Sequence, residues 1–291
     1  MAISVVLNTY NAAKSLQKVL SCLKGFDEIV VCDMESTDNT VDIARSFGAK
    51  VISFPKEQHK HCGPARNFAI RRASNEWVLV VDADELVSQD LRQFLYKFIR
   101  KPGNVKGVYI PRMNFILDRF HRSAYPDYRM RFFARDYVDW SPEFHARPVV
   151  EGEVYKIPSN RHNLALVHIP PTVEGMIERS NRYTTLEAYK MNPRKITSLS
   201  LLYYPFIRFF NVYLGKAAFR CGTAGLILAT NASVCEFYRL AKLYEEKVRH
   251  NIVGGDFGDL PDEVALEKIR LIKELRKNRK KAGMVYDNSG V

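Results

Sequence analysis

The 291-residue sequence has only five cysteines, Cys22, Cys32, Cys62, Cys221 and Cys235, an odd and widely spaced set with no C-x-x-C pair. That pattern excludes a disulfide framework and a zinc knuckle, and it suits a reducing compartment. No G-x-G-x-x-G or G-x-x-x-x-G-K-[ST] follows an apolar run, which counts against a dinucleotide-binding Rossmann domain and a P-loop NTPase. A G-x-S-x-G elbow for a serine hydrolase is missing too. Long hydrophobic runs are scarce: Pro205, Arg208, Lys216 and Arg220 interrupt the most apolar part, Leu199 to Thr230. No charge-free stretch approaches the ~20 residues that cross a bilayer. The apolar run Ile3 to Leu7 is too short for a signal peptide and no basic residues precede it. A cytoplasmic location is expected. Internal repeats and low-complexity segments are absent.

Positive charge, in contrast, is plentiful. Lys and Arg number 44 against 32 Asp and Glu, a net charge of +12, which points to a polyanionic partner: nucleic acid, an anionic membrane face or a phosphorylated substrate. The richest local concentration is Leu266 to Lys281, a basic helical pattern with apolar Leu266, Ile269, Ile272 and Leu275. Hydrophobic residues make up 46% of the chain, enough for an ordinary globular core.

The first hundred residues alternate apolar runs with amphipathic stretches, the signature of βαβ units and a parallel sheet. Strands are expected at Ile3–Leu7, Glu28–Cys32, Lys50–Phe54 and Trp77–Val81, with later ones at Val105–Ile110 and Met130–Phe133. Helix signals lie between them: Asn11 as a cap ahead of Leu16, Val19, Leu20 and Leu23, Thr37 or Asp38 opening a second helix that Gly48 ends, Pro64 in a third, and Ser88 capping a fourth. A further helix is expected over Val173 to Lys190. The aromatic stretch from Leu199 reads either as an amphipathic segment in a membrane interface or as the core of a helical subdomain. The fold class is α/β with a mostly parallel central sheet and helices on both faces. Two domains are expected, residues 1–170 and a helical C-terminal extension, 171–291.

In such a sheet the residues just past the strands gather along one edge. Here they are Thr9 and Tyr10 after the first strand, Asp33 after the second, and Asp82, Asp84 and Glu85 after the fourth. Asp82 and Asp84 form a D-x-D, which either holds Mg²⁺ or Mn²⁺ through hard oxygens or marks a turn. Tyr10 suits stacking on a base, Asp33 accepting hydrogen bonds from a base or ribose, and Arg66 reaching a phosphate or simply lying at the surface. His59, His61 and Cys62 lack a second cluster, so they read as a loop over the crevice and not as a metal site.

Taken in order, VVLNTYN, EIVVCDMESTDNT, the ARN segment at Ala65 to Asn67 and VLVVDADE resemble the family 2 GT-A glycosyltransferases, within them the bacterial β-1,4-glucosyltransferases of the lipopolysaccharide inner core. The likeness continues through YRMRFFAR, His145, Gly152, the histidine of LVH and the RSNRYTTLEA helix. It implies an inverting transfer of a hexose from a UDP-sugar to a phosphorylated or lipid-linked glycan. Thr9, Tyr10, Asp33, Arg66 and Asp82 then belong to the nucleotide site, and Asp84 to the metal. The anionic glycolipid acceptor and the membrane surface carrying it account for the basic excess better than nucleic acid does. Two departures stand out. Many relatives have a small residue where this chain has Glu35, and many have a His-Glu pair where it has His145 and Ala146. The missing base is expected to be Glu143, with Asp139 as the alternative. A nucleotidyltransferase and a non-enzymatic binder of anionic lipid or nucleic acid are the competing readings.

Overall fold

A computed structural model describes residues 1–55, 63–140, 148–188, 196–253 and 270. The chain divides into two compact units, residues 1–172 with 216–226, and residues 173–215 with 227–291. The sequence reading sets its boundary at 170/171; residues 216–226 belong to the first unit and not to the extension.

The first unit opens with β1 (Ile3–Thr9), α1 (Ala13–Cys22), β2 (Glu28–Asp33), α2 (Thr40–Ser46), β3 (Lys50–Ser53), α3 (Gly63–Ile70) and β4 (Trp77–Asp82). β5 (Glu85–Leu86), α4 (Gln89–Ile99), β6 (Val105–Ile116), β7 (Arg119–Phe120) and β8 (Asp127–Ala134) follow. β9 (Val138–Trp140), β10 (Pro148–Val150), β11 (Glu153–Lys156) and β12 (Leu166–His168) complete its strands. The sheet order is β3-β2-β1-β4-β8-β6-β12-β5, with β11 and β7 also on β6, and β9 pairs with β10 separately. β3, β2, β1 and β4 are parallel; β8 runs against both β4 and β6. This is the expected α/β architecture with a mixed second half.

Strand alternation builds a core on each face. Ile3, Val5 and Leu7 point to one face, where Leu16, Val19 and Leu20 of α1 and Leu91, Leu95 and Ile99 of α4 cover them. Val6, Val30, Val78 and Val80 point to the other, under Ala65, Ala69 and Ile70 of α3. Helices therefore lie on both faces, and the strand ends are left open.

Helix ends differ in part from the sequence reading. Ser88 Oγ does accept from Leu91 N at 3.0 Å, and Gly48 follows α2 with φ +73°, the left-handed conformation that glycine takes without strain. Asn11 caps nothing: it sits at φ +49° before α1, and its side chain accepts from Thr37 N at 2.8 Å. α2 starts at Thr40, whose N–H donates to Asp38 Oδ1 at 3.0 Å.

In the second unit, α5 (Val173–Ala188) and α6 (Ser198–Phe210) precede a π-turn at Asn211–Gly215. α7 (Gly222–Val253) begins in the first unit and contributes Ile227 onward to the second. Ile196, Leu240 and Leu243 form a small apolar cluster with Leu201. Lys242 Nζ donates to Asn181 O at 2.8 Å and to the Thr184 and Thr185 hydroxyls at 2.9 and 2.7 Å. Among the described residues no helix is long and apolar enough to cross a membrane.

Candidate active site

The parallel strands place the expected residues at one edge of the sheet. Thr9 is in register with Asp33, and its hydroxyl donates to Asp33 Oδ1 at 2.9 Å. Ser36 adds its N–H to Oδ2 at 2.8 Å and its hydroxyl to Oδ1 at 2.6 Å. Asp33 is thereby fixed in a buried position, while Tyr10 beside it is 38% exposed. Asp82 pairs with Asn8 on the other side of β1, two strand spacings or about 10 Å from Asp33.

Asp82 does not present a free carboxylate. Arg66 Nη2 donates to Oδ1 at 2.6 Å and Arg131 Nη2 to Oδ2. Burial alone would raise this carboxyl's pKa, yet Arg131 and Arg66 hold it well below the ordinary range, so it is ionised. Glu85, fully buried, accepts from Arg112 Nη1 at 2.9 Å and Arg131 Nη2 at 3.0 Å, and from the Asp82 N–H at 3.1 Å. Asp127 accepts from Arg112 Nη2 at 2.7 Å, Arg129 Nη2 at 3.0 Å and Asn114 Nδ2 at 3.0 Å. Burial opposes the charge on Arg131, but Asp82 and Glu85 more than restore it.

Asp84 stands apart from this network. β12 pairs antiparallel with β5, setting His168 opposite Glu85, and Ile169 N donates to Asp84 O at 2.7 Å. That pairing brings His168 Nε2 to 3.2 Å from Asp84 Oδ2. Among the described residues no three His, Cys, Asp or Glu side chains gather into a cage. A carboxylate and an imidazole with solvent access nonetheless fit a divalent ion that takes its remaining ligands from phosphate oxygens and water.

β9 closes the site from the α3 side. Asn67 Nδ2 donates to Trp140 O at 2.8 Å and to Asp139 Oδ1 at 3.0 Å, and Trp140 N donates to Asn67 Oδ1 at 2.9 Å. The Arg66 guanidinium lies 4.5 Å from the Trp140 ring centroid. Asp139 is exposed. Glu143, His145 and Ala146, like His59, His61 and Cys62, lie outside the described residues.

Sequence reasoning missed the role of His168, which no spacing ties to residue 84, and the arginines of β6 and β8. No simple alternation ties the latter together: β8 shifts register against β6, with Phe132 opposite Val108 and Met130 opposite Tyr109, so Arg131 is skipped. The structure also accounts for Glu35, which occupies a left-handed position at φ +61°, where a glycine fits without strain.

A family model described as glycosyl transferase family 2 matches residues 4–148. The lipopolysaccharide core biosynthesis glycosyltransferase LpsC of Rhizobium meliloti is 26% identical over 87% of this chain and 96% of its own length. An uncharacterised glycosyltransferase of Rickettsia conorii is 25% identical over 88% and 94%. Among solved structures, the mannosyltransferase of Pyrobaculum calidifontis in complex with GDP-Man and Mn²⁺ aligns with a TM-score of 0.45 and 17% identity, over 84% of this chain and 87% of that one. The family match and the two sequence relatives place the chain in glycosyl transferase family 2, as a glycosyltransferase.

Proposed function

We propose that the protein transfers a hexose with inversion from a UDP-sugar to a phosphorylated or lipid-linked glycan such as lipopolysaccharide core. The observation that carries this reading is the convergence of Thr9, Tyr10, Asp33, Asp82 and Asp84 on one sheet edge, with a basic wall beside them. The inner-core resemblance and the name of the Rhizobium relative support the acceptor class.

In this mechanism Thr9, Tyr10 and Asp33 hold the nucleoside. Asp82, with both oxygens engaged by arginine, keeps Arg66 oriented toward the donor and faces the ribose. Asp84 and His168 would hold Mg²⁺ or Mn²⁺, which when bound neutralises charge on the departing diphosphate. Glu143 takes the proton from the attacking hydroxyl. Asp139 is the second candidate for that base, because Asn67 fixes its carboxylate beside Trp140.

We further assign the enzyme to the cytoplasmic face of a membrane, as a peripheral protein. On α6 none of the residues is buried, and Leu199, Leu202, Tyr203 and Phe206 are more than half exposed. An aromatic and aliphatic helix with Arg208 among its residues suits an anionic lipid interface. These exposures favour the interfacial reading of this segment over a subdomain core.

The deciding experiment is thermal unfolding of the full chain with Mn²⁺ or Mg²⁺ and UDP. Ligand at about 100 times its Kd should stabilise the protein by about 2.7 kcal/mol, and Asp84→Ala should remove most of that gain. No stabilisation by UDP overturns the donor assignment. Release of UDP from a UDP-hexose panel then identifies the sugar.

A further inference from the structure

A cavity of about 350 Å³ opens between the ends of β4, β8 and β6, and four of its wall residues are Arg66, Arg112, Arg129 and Arg131. Tyr128 and Trp140 complete much of the remainder. Four guanidinium groups face the three carboxylates of Asp82, Glu85 and Asp127, which leaves an uncompensated positive charge at the wall.

Contact with a ligand falls to the Nη ends of these forks: the Arg129 side chain is 42% exposed, whereas the Nε atoms of Arg66, Arg129 and Arg131 are closed to solvent and Arg131 is only 4% exposed. Planar arginine forks match phosphate oxygens in geometry as well as charge.

Arg66 and Asp82, given to the donor above, form one side of this cavity. The side left to a second anion is built by Arg112 of β6 and by Tyr128 and Arg129 of β8, one to two strand spacings or about 5–10 Å from β4. Its Trp140 wall directly follows Asp139, the second candidate for the base, so an anion held there lies on the side where a hydroxyl activated by Asp139 would arrive.

We propose that this arginine cavity binds a phosphate monoester on the acceptor glycan and so positions its hydroxyl for transfer. The proposal rests on the donor reading above and is separable from it by experiment. The full-length protein is titrated calorimetrically with inorganic phosphate, with and without saturating UDP and Mg²⁺, using acetate at equal ionic strength as the carboxylate control. Phosphate should bind more tightly than acetate and alongside UDP. Arg129→Gln should weaken phosphate binding about tenfold while UDP affinity holds, and Arg129→Lys should recover part of the loss, since it keeps the charge without the fork. Displacement of phosphate by UDP, a preference for acetate, or phosphate affinity unchanged in Arg129→Gln overturns the cavity assignment. Failure of UDP itself to bind overturns the donor reading instead, and with it the acceptor role of the cavity. UDP affinity in the Arg129 variants also reports that they fold.

Discussion

The two ends of the parallel sheet solve the same problem, what to do with polar groups beyond a hydrophobic core, in opposite ways. At the amino end, Glu28 accepts from the Ser4 hydroxyl at 2.5 Å, from Ser74 N at 2.7 Å and from the Ser74 hydroxyl at 2.8 Å. Asp27 accepts from Ile3 N at 2.8 Å and from the Tyr96 hydroxyl at 2.5 Å. The sharp turns there fall on glycines, Gly25 at φ +94° and Gly48 at φ +73°. At the carboxyl end, the Nε donors of Arg66, Arg129 and Arg131 are buried without acceptors among the described residues, and left-handed positions fall on Asn11 and Glu35. The polar groups named at the amino end satisfy one another, whereas the carboxyl end keeps backbone strain, the kind that gathers where function and not packing decides.

If that contrast is right, substitutions at the two ends should separate activity from stability. The largest effect is expected from Asp84→Asn. Transfer should fall at least about a hundredfold, the scale of losing metal stabilisation worth several kcal/mol in the transition state, while unfolding free energy changes by less than about 1 kcal/mol. Nucleotide release and urea denaturation measured on one preparation decide it; a large stability loss with modest activity loss would make Asp84 a structural partner of His168.

Arg131→Met tests where the two behaviours overlap. It leaves the ionised Asp82 and the buried Glu85 short of a partner, and removing one member of such a network costs about 3–5 kcal/mol. Equilibrium urea unfolding should show that loss. A cost below about 1 kcal/mol would mean that Arg66 and Arg112 compensate, and that Arg131 serves ligand binding alone.

How much of this was legible beforehand follows from the range of the interactions. β1 to β4, the Ser88 cap and the Gly48 stop depend on local pattern, so they could be read from the chain. The acidic edge was legible as well, because a parallel sheet forces Thr9, Asp33 and Asp82 together whatever the loops do. The pairing of Asp84 with His168 was not, because it depends on a three-residue strand, β12, docking antiparallel on a two-residue one, and neither leaves a periodic trace. Asp82 was expected in the nucleotide site, but its engagement by arginine could not be read from the chain, because only the reversal of β8 delivers Arg131 to it. Asn11 carries a residue type suited to capping, but the loop after β2 captures its side chain first.

Glu28→Gln should cost about 2 kcal/mol of stability, within the range for hydrogen bonds to a charged group, and leave UDP binding unchanged. It also carries the clearest pH signature at the amino end. Burial pushes the Glu28 carboxyl up, but hydrogen bonds from Ser4 and Ser74 and the charge of Lys50 outweigh it, so its folded pKa lies below the ordinary glutamate value. The unfolded chain therefore binds the proton more readily. Stability from this group is present in full above its unfolded pKa and is lost as pH falls through the folded one. The acid limb of the stability curve should be shallower in Glu28→Gln than in the parent. Equal slopes would mean that the hydrogen bonds from Ser4 and Ser74 do not depend on the Glu28 charge.

The smallest effect is expected from Glu35→Gly, and it carries the opposite sign. A left-handed backbone costs an L-residue roughly 1–2 kcal/mol, and glycine's greater freedom when unfolded takes back roughly 0.5–1 kcal/mol, so a net gain of about 0.5–1 kcal/mol is expected by urea unfolding. Glu35 follows Asp33 and Met34 and precedes Ser36, whose N–H and hydroxyl both hold the Asp33 carboxylate. A gain in stability with weaker UDP binding would mean that the strained glutamate keeps that loop in its ligand-ready shape. A gain with unchanged binding would reduce Glu35 to tolerated strain, and a loss would show that its side chain stabilises the loop by more than its backbone costs.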